Sequence, residues 1–203
     1  IYNLSFAQNK LLTEDSDTVY WYDNYGELSK EIGLESLKFS KYDTIFRFWD
    51  SYKVIQIWKT NGELKGSVNF FLKEYVESNR RKERIYTSSM QLDQETISKF
   101  TELLSDFKIF EFPTDNLING WSQGLDGITY ITEFSNLSEY SFKSYWTPTA
   151  QNGVKEARFF QYFINELRNI ETINKAFKKF MKYQPFDNYY AGYGSATIAS
   201  VIK

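Results

Sequence analysis

The chain has 203 residues, with 24 Lys and Arg against 26 Asp and Glu, a net charge of −2, and neither His nor Cys. That balance excludes an electrostatic nucleic-acid binder. The missing residues exclude the Ser-His-Asp triad, Cys-His pairs and imidazole- or thiolate-held zinc, along with the commonest general base near neutral pH.

The first element in chain order is a processing signal. Ser5 and Ala7 stand at −3 and −1 from a cut before Gln8, the small-residue spacing of a secretory signal. The junction "SFAQ" also resembles the signal-peptide ends of Bacteroidota proteins. Residues 1–7 then read as a signal-peptide remnant and 8–203 as a single domain, long enough for a sizeable core. The alternative is an ordinary N-terminal strand. No later stretch approaches the ~20 apolar residues of a membrane span.

Residues 8–40 are acidic and weakly patterned. "TVYWYDNYG" suggests a strand, and "ELSKEIGLESL" a short helix interrupted at Gly33. From Asp43 the alternation is clear. In "DTIFRFWD", Ile45, Arg47 and Trp49 share one side, and Phe46 and Phe48 the other. Asn61-Gly62 between "KVIQIWK" and "KGSVNFFLKEYV" predicts a type I′ hairpin. With "RIYTSSMQL" this makes a four-strand antiparallel meander over 43–92. Asp93 is then placed to cap a helix carrying Ile97, Phe100, Leu103, Leu104 and Phe107, which must end before Pro113. The loop "NGWSQGLDG" leads to a second hairpin, "ITYITEF" and "YSFKSYW". A helical region follows over 153–183, broken near Asn169, and then a loop and a last strand. Hairpin-linked strands followed by helices predict an α+β fold: an antiparallel sheet with two to three helices packed on one face.

The runs "FRFWDSYKVIQIWKTNGELKGSVNFFLKEY", "LDGITYITEF" and "YSFKSYWTPTAQNGVKEA" resemble an uncharacterised family of exported Bacteroidota proteins, over residues 40–170. The resemblance implies export and one compact domain, with no activity to carry over. Asp17-Thr18-Val19 and Asp43-Thr44-Ile45 resemble the Asp-Thr-aliphatic O-glycosylation acceptor of such proteins.

Carboxylates are the remaining catalytic option. Asp126 and Glu133 bracket a strand and lie about 23 Å apart, too far to cooperate on a sugar. Glu133 and Glu139 could be closer, across the hairpin. The acids at 14, 15, 17 and 23 lack the Gly and closing Glu of an EF-hand and read as a solvated arm. Ser105 and Lys108 match S-x-x-K, but at the wrong end of a helix. No cofactor is implied.

Two features suggest binding. Aromatic residues make up 19% of the chain, enough to fill a core and sheet faces or to line a surface for sugars. Lys175, Lys178, Lys179 and Lys182 form one helical stripe, the wet side of an amphipathic helix or a face for an acidic partner or anionic lipid. The candidate ligand-binding residues are Trp121, Gln123 and Asp126. Trp121 either plugs the sheet or stands in a shallow pocket with the two polar groups at its rim. The reading is an exported, non-enzymatic module of the cell envelope, periplasmic or secreted, binding a protein or a glycan. The alternative is a glycan-directed hydrolase using carboxylates near 119–127.

Overall fold

The computed structural model describes residues 10–18, 21–77, 82–192 and 197–201. The expected junction from Ser5 to Gln8 lies outside the described residues. The chain runs β1 (Leu11–Leu12), α1 (Trp21–Glu31), β2 (Thr44–Asp50), β3 (Lys53–Thr60), β4 (Glu63–Lys73) and β5 (Ile85–Gln91). It continues with α2 (Gln94–Asp106), β6 (Thr129–Asn136), β7 (Glu139–Trp146), α3 (Lys155–Arg168), α4 (Glu171–Lys182), β8 (Asn188–Tyr190) and β9 (Ile198–Ser200). Seven strands form one sheet in the order β1-β7-β6-β2-β3-β4-β5, and β8 with β9 forms a separate hairpin.

This corrects the expected antiparallel sheet of a meander plus a second hairpin under helices on one face. The sheet is mixed: β1 runs parallel to β7. The second hairpin is part of the same sheet, because β2 pairs with β6 on one side and β3 on the other. Four helices cover both faces. A two-residue parallel strand is too short to leave an alternation in the sequence, and strand neighbours far apart in the chain leave none at all.

The face carrying Phe46, Phe48, Ile55, Ile57, Val68 and Phe70 packs against α2, α3 and α4 through Ile97, Phe100, Leu104, Phe160, Phe163, Ile164 and Ile173. The opposite face carries Ile45, Trp49, Val54, Ile131, Tyr140 and Phe142 and is covered by α1. Where a strand is expected at "TVYWYDNYG", the residues from Trp21 on are instead the start of α1. Its rings sit at helical spacing: Trp21, Tyr25 and Leu28 follow at i, i+4, i+7, and Tyr25 packs edge-on to Trp49 at 5.0 Å. The Asn61-Gly62 turn has φ of 51° and 80°, the left-handed pair that a type I′ turn requires. The Asp93 carboxylate caps α2 by accepting from the Thr96 amide at 2.8 Å. The long helical region breaks between Arg168 and Glu171. No helix of the described residues is long and apolar enough to cross a membrane.

Candidate functional site

The two edges of the sheet are treated differently, and this places the sequence-predicted residues. The outer edge of β7 is closed group by group. The Tyr140 carbonyl accepts from Thr13, and the Phe142 carbonyl from Asp17. The Phe142 amide donates to the Ser16 hydroxyl at 3.1 Å. The Ser144 amide donates to Thr114 Oγ1 at 3.1 Å, and that hydroxyl donates back to the Ser144 carbonyl at 3.2 Å. The Trp146 amide donates to Asp115 Oδ2 at 2.7 Å.

Trp121 completes this closure. Its indole Nε1 donates to the Trp146 carbonyl at 2.9 Å, and its half-buried ring packs 6.2 Å from Tyr145. Gln123 is exposed, and its side chain bonds the Asp115 carboxylate. Asp126 is exposed. The loop's glycines serve a different ring. A Cβ on Gly124 would collide with the indole of Trp146, and one on Gly127 with the Thr147 hydroxyl and the Trp146 Nε1. The backbone therefore lies close on Trp146, an approach open only to glycine.

The buried carboxylates are held by structural partners. Glu133 accepts from Arg47 at 3.0 Å, from Trp49 Nε1 at 3.0 Å and from the Tyr140 hydroxyl at 2.8 Å. Arg47 also donates to Gln56 and to the Glu35 carbonyl. Glu133 pairs with Phe142 in the hairpin register, which places Glu139 on the other face of the sheet, so the two acids do not meet. Asp50 accepts from Lys53 at 2.8 Å and from Arg168 at 3.1 and 2.7 Å. Burial raises the pKa of its carboxyl, but these two cations outweigh burial and hold it well below the carboxylate range.

The acidic N-terminal stretch is only in part a solvated arm: Glu14 and Asp23 are exposed, but the acids between them are not. Asp15 pairs with Lys143, and Asp17 is buried, accepting from the Ser144 hydroxyl at 2.5 Å. The same hydroxyl lies 3.5 Å from Asp115 Oδ1, which makes Asp17 and Asp115 neighbours. Burial raises the Asp115 pKa, the Trp146 amide and Gln123 oppose that, and the charge of Asp17 adds to it.

Among the described residues the other edge of the sheet, β5, carries no such closure. Leu92 donates to the Gly66 carbonyl at 2.9 Å and Glu74 to the Arg84 carbonyl at 3.0 Å. These two bonds fix the alternation of the β4–β5 ladder: residues 84, 86, 88, 90 and 92 bond to β4. Ile85, Thr87, Ser89 and Gln91 therefore direct their N–H and C=O groups away from the sheet. No strand of the described residues lies beyond β5. The strand sequence "IYTSSMQ" has no charge and no proline, the two features that commonly protect an edge.

A groove of about 500 Å³ runs between β5 and α4. Its floor is Phe70, with Phe180 stacked on it at 5.8 Å. One wall is β5 from Tyr86 to Met90. The other is the α4 stripe Ala176, Lys179, Phe180 and Tyr183, spaced i, i+3, i+4, i+7. α4 packs over β4 and leaves β5 largely exposed. The lysine stripe is legible in the sequence. The groove is not, because it depends on which edge of the sheet stays open.

Searches against known protein families and curated proteins return no match to this chain.

Proposed function

We propose that the protein is a binding module rather than an enzyme, and that it takes a segment of another polypeptide in the groove between β5 and α4. The observation that carries this reading is the lining of the groove: rings, Met90, hydroxyls and Lys179, without a carboxylate. Such a surface recognises apolar groups and offers no carboxylate to act as acid or base. The buried acids Glu133, Asp50, Asp17 and Asp115 are engaged elsewhere in the fold. An extracytoplasmic site of action, in the periplasm or beyond, is part of the proposal. It is supported by the spacing of Ser5 and Ala7 and by the resemblance to exported proteins.

The test is site-specific photocrosslinking in the cells that make the protein. A benzophenone side chain replaces Tyr183 at the groove rim or, as control, Tyr162; the two are 71% and 62% exposed. The expected result is one defined polypeptide adduct from position 183 that is absent from 162 and lost with Met90→Glu. Equal, diffuse labelling from both positions would overturn the reading.

A second reading is favoured by the Asp17–Ser144–Asp115 arrangement beside the 119–127 loop. Two adjacent carboxylates, one of them with its pKa raised by burial, are the elements of acid–base hydrolysis of a glycan. Turnover of a polysaccharide panel that is abolished by Asp115→Asn and by Asp17→Asn separately would establish it. The binding reading expects no turnover by the parent.

A further inference from the structure

We infer that the partner segment is an acidic, amphipathic peptide that adds to the sheet as an eighth strand along β5. This rests on the groove reading above and names both the mode of binding and the chemistry bound.

The first observation is the contrast between the edges. Along β7 the outward groups from Tyr140 to Trp146 are met by Thr13, Ser16, Asp17, Thr114, Asp115 and Trp121. Along β5 four consecutive outward residues, Ile85, Thr87, Ser89 and Gln91, offer a row of donors and acceptors with no strand of the described residues beyond them. Such a row is the template for main-chain pairing with an incoming extended segment.

The second observation is the position of the groove relative to that row. An antiparallel strand pairing with Ile85, Thr87, Ser89 and Gln91 would meet Tyr86, Ser88 and Met90 at the non-hydrogen-bonded positions. There side chains approach most closely, with Cα atoms about 4.5 Å apart. Those three lie on the α4 side of the β5 wall, which runs from Tyr86 to Met90. Ser88 is the small residue between two large ones, so an apolar side chain opposite it fits between Tyr86 and Met90 and faces Phe180. Every second residue of the partner therefore meets an apolar wall. The residues between them share the face of Thr87 and Ser89, which are exposed, and are free to be polar.

The third observation is charge. Lys179 of the α4 lysine stripe lines the groove. It makes no ion pair among the described residues, whereas Lys175 of the same stripe is tied to Glu171 at 2.7 Å. A carboxylate at a groove-facing position of the incoming segment would meet the free ammonium group of Lys179. The same charge argues against a second copy of this chain as occupant. Two β5 strands joined antiparallel keep the same face upward, so the two α4 helices would oppose their lysines across the junction.

The test uses two synthetic nine-residue peptides of alternating isoleucine and threonine that carry one charged residue at a groove-facing position, aspartate in one and lysine in the other. Binding is followed by fluorescence anisotropy, and amide protection in the protein by NMR hydrogen exchange. The aspartate peptide is expected to bind at least 10-fold tighter than the lysine peptide, to weaken with salt, and to lose about 5-fold on Lys179→Glu. On binding, the Thr87 and Ser89 amides are expected to become protected. Ser89→Pro removes an outward donor without breaking the β4 ladder, and should reduce affinity at least 10-fold while leaving the circular dichroism unchanged. Thr87→Pro serves the same purpose if Ser89→Pro does not fold.

Binding in the groove without protection of Thr87 and Ser89, and insensitive to both prolines, would overturn strand addition while leaving the groove reading intact. Equal binding of both peptides would overturn the acidic assignment alone. No binding of either peptide, with no adduct from position 183, would overturn both readings. A dimer abolished by Ser89→Pro would make the occupant a second copy and overturn the proposal.

Discussion

Arg47 of β2 and Glu133 of β6 face each other across the strand pair, 3.0 Å from nitrogen to oxygen, with side chains 1% and 7% exposed. The carboxylate also holds the indole of Trp49 and the hydroxyl of Tyr140. A sequence in which acids are the main catalytic option thus places one of them where it cannot reach a substrate. Glu133→Ala leaves a buried guanidinium and two orphaned donors, and should cost about 3–5 kcal/mol. The double variant Arg47→Met, Glu133→Leu should recover most of that loss. Urea denaturation of the single and double variants measures the difference. A double variant no more stable than Glu133→Ala would contradict this view of the pair.

Asp50 and Asp115 are expected to give stability opposite dependences on pH. The folded pKa of Asp50 lies below its unfolded value, because Lys53 and Arg168 outweigh burial. Its contribution is full above about pH 4 and is lost as pH falls through the unfolded value toward the folded one. Asp115 is shifted the other way, first by burial. Its contribution is full below about pH 4 and is lost as pH rises through its folded value. Asp50→Asn should therefore cost about 2–4 kcal/mol at pH 7 and flatten the acid limb of the stability curve. Asp115→Asn should be close to neutral at pH 7. Denaturation midpoints between pH 3 and 8 test both, and an Asp50→Asn curve parallel to the parent would sink the assignment.

Trp121 contributes twice, by packing on Tyr145 and by donating to the Trp146 carbonyl. Trp121→Ala should destabilise by about 2–4 kcal/mol, near the low end for aromatic truncations because the ring is half-buried. Trp121→Phe keeps the ring and loses the donor, and should cost about 1 kcal/mol. Gly124→Ala should be worse than an ordinary loop substitution, because its methyl would occupy the Trp146 indole. Thermal unfolding of the three variants ranks them. A Trp121→Ala protein as stable as the parent would free Trp121, Gln123 and Asp126 to be read again as a ligand site.

Local signals were legible in the sequence and distant pairings were not. The positive φ angles at Asn61 and Gly62, the Asp93 cap and the break after Arg168 follow from residues within a few positions of one another. The closure of β7 needs Asp17, Thr114, Asp115 and Trp121, which only the fold brings together, and no periodicity encodes it. The helix α1 was hidden because its rings also suit a strand. At the groove, the Lys179 stripe could be read from helical spacing. The outward direction of Thr87 and Ser89 requires the register of β5 on β4.

Export is tested separately from binding. Protein expressed with its full leader and recovered from outside the cytoplasm should begin at Gln8, or at its cyclised form. N-terminal sequencing checks this, and exported material that retains Ser5, Phe6 and Ala7 would contradict it.

An edge that stays open is the condition on which the binding proposal depends, and amide hydrogen exchange of the free protein measures it residue by residue. The Thr87 and Ser89 amides, directed away from the sheet, should exchange at least 100-fold faster than those of Tyr86 and Ser88, which bond to β4, at every protein concentration. Uniform protection of all four amides, or protection of Thr87 and Ser89 that grows with concentration, would mean that the edge is already occupied and would contradict the proposal.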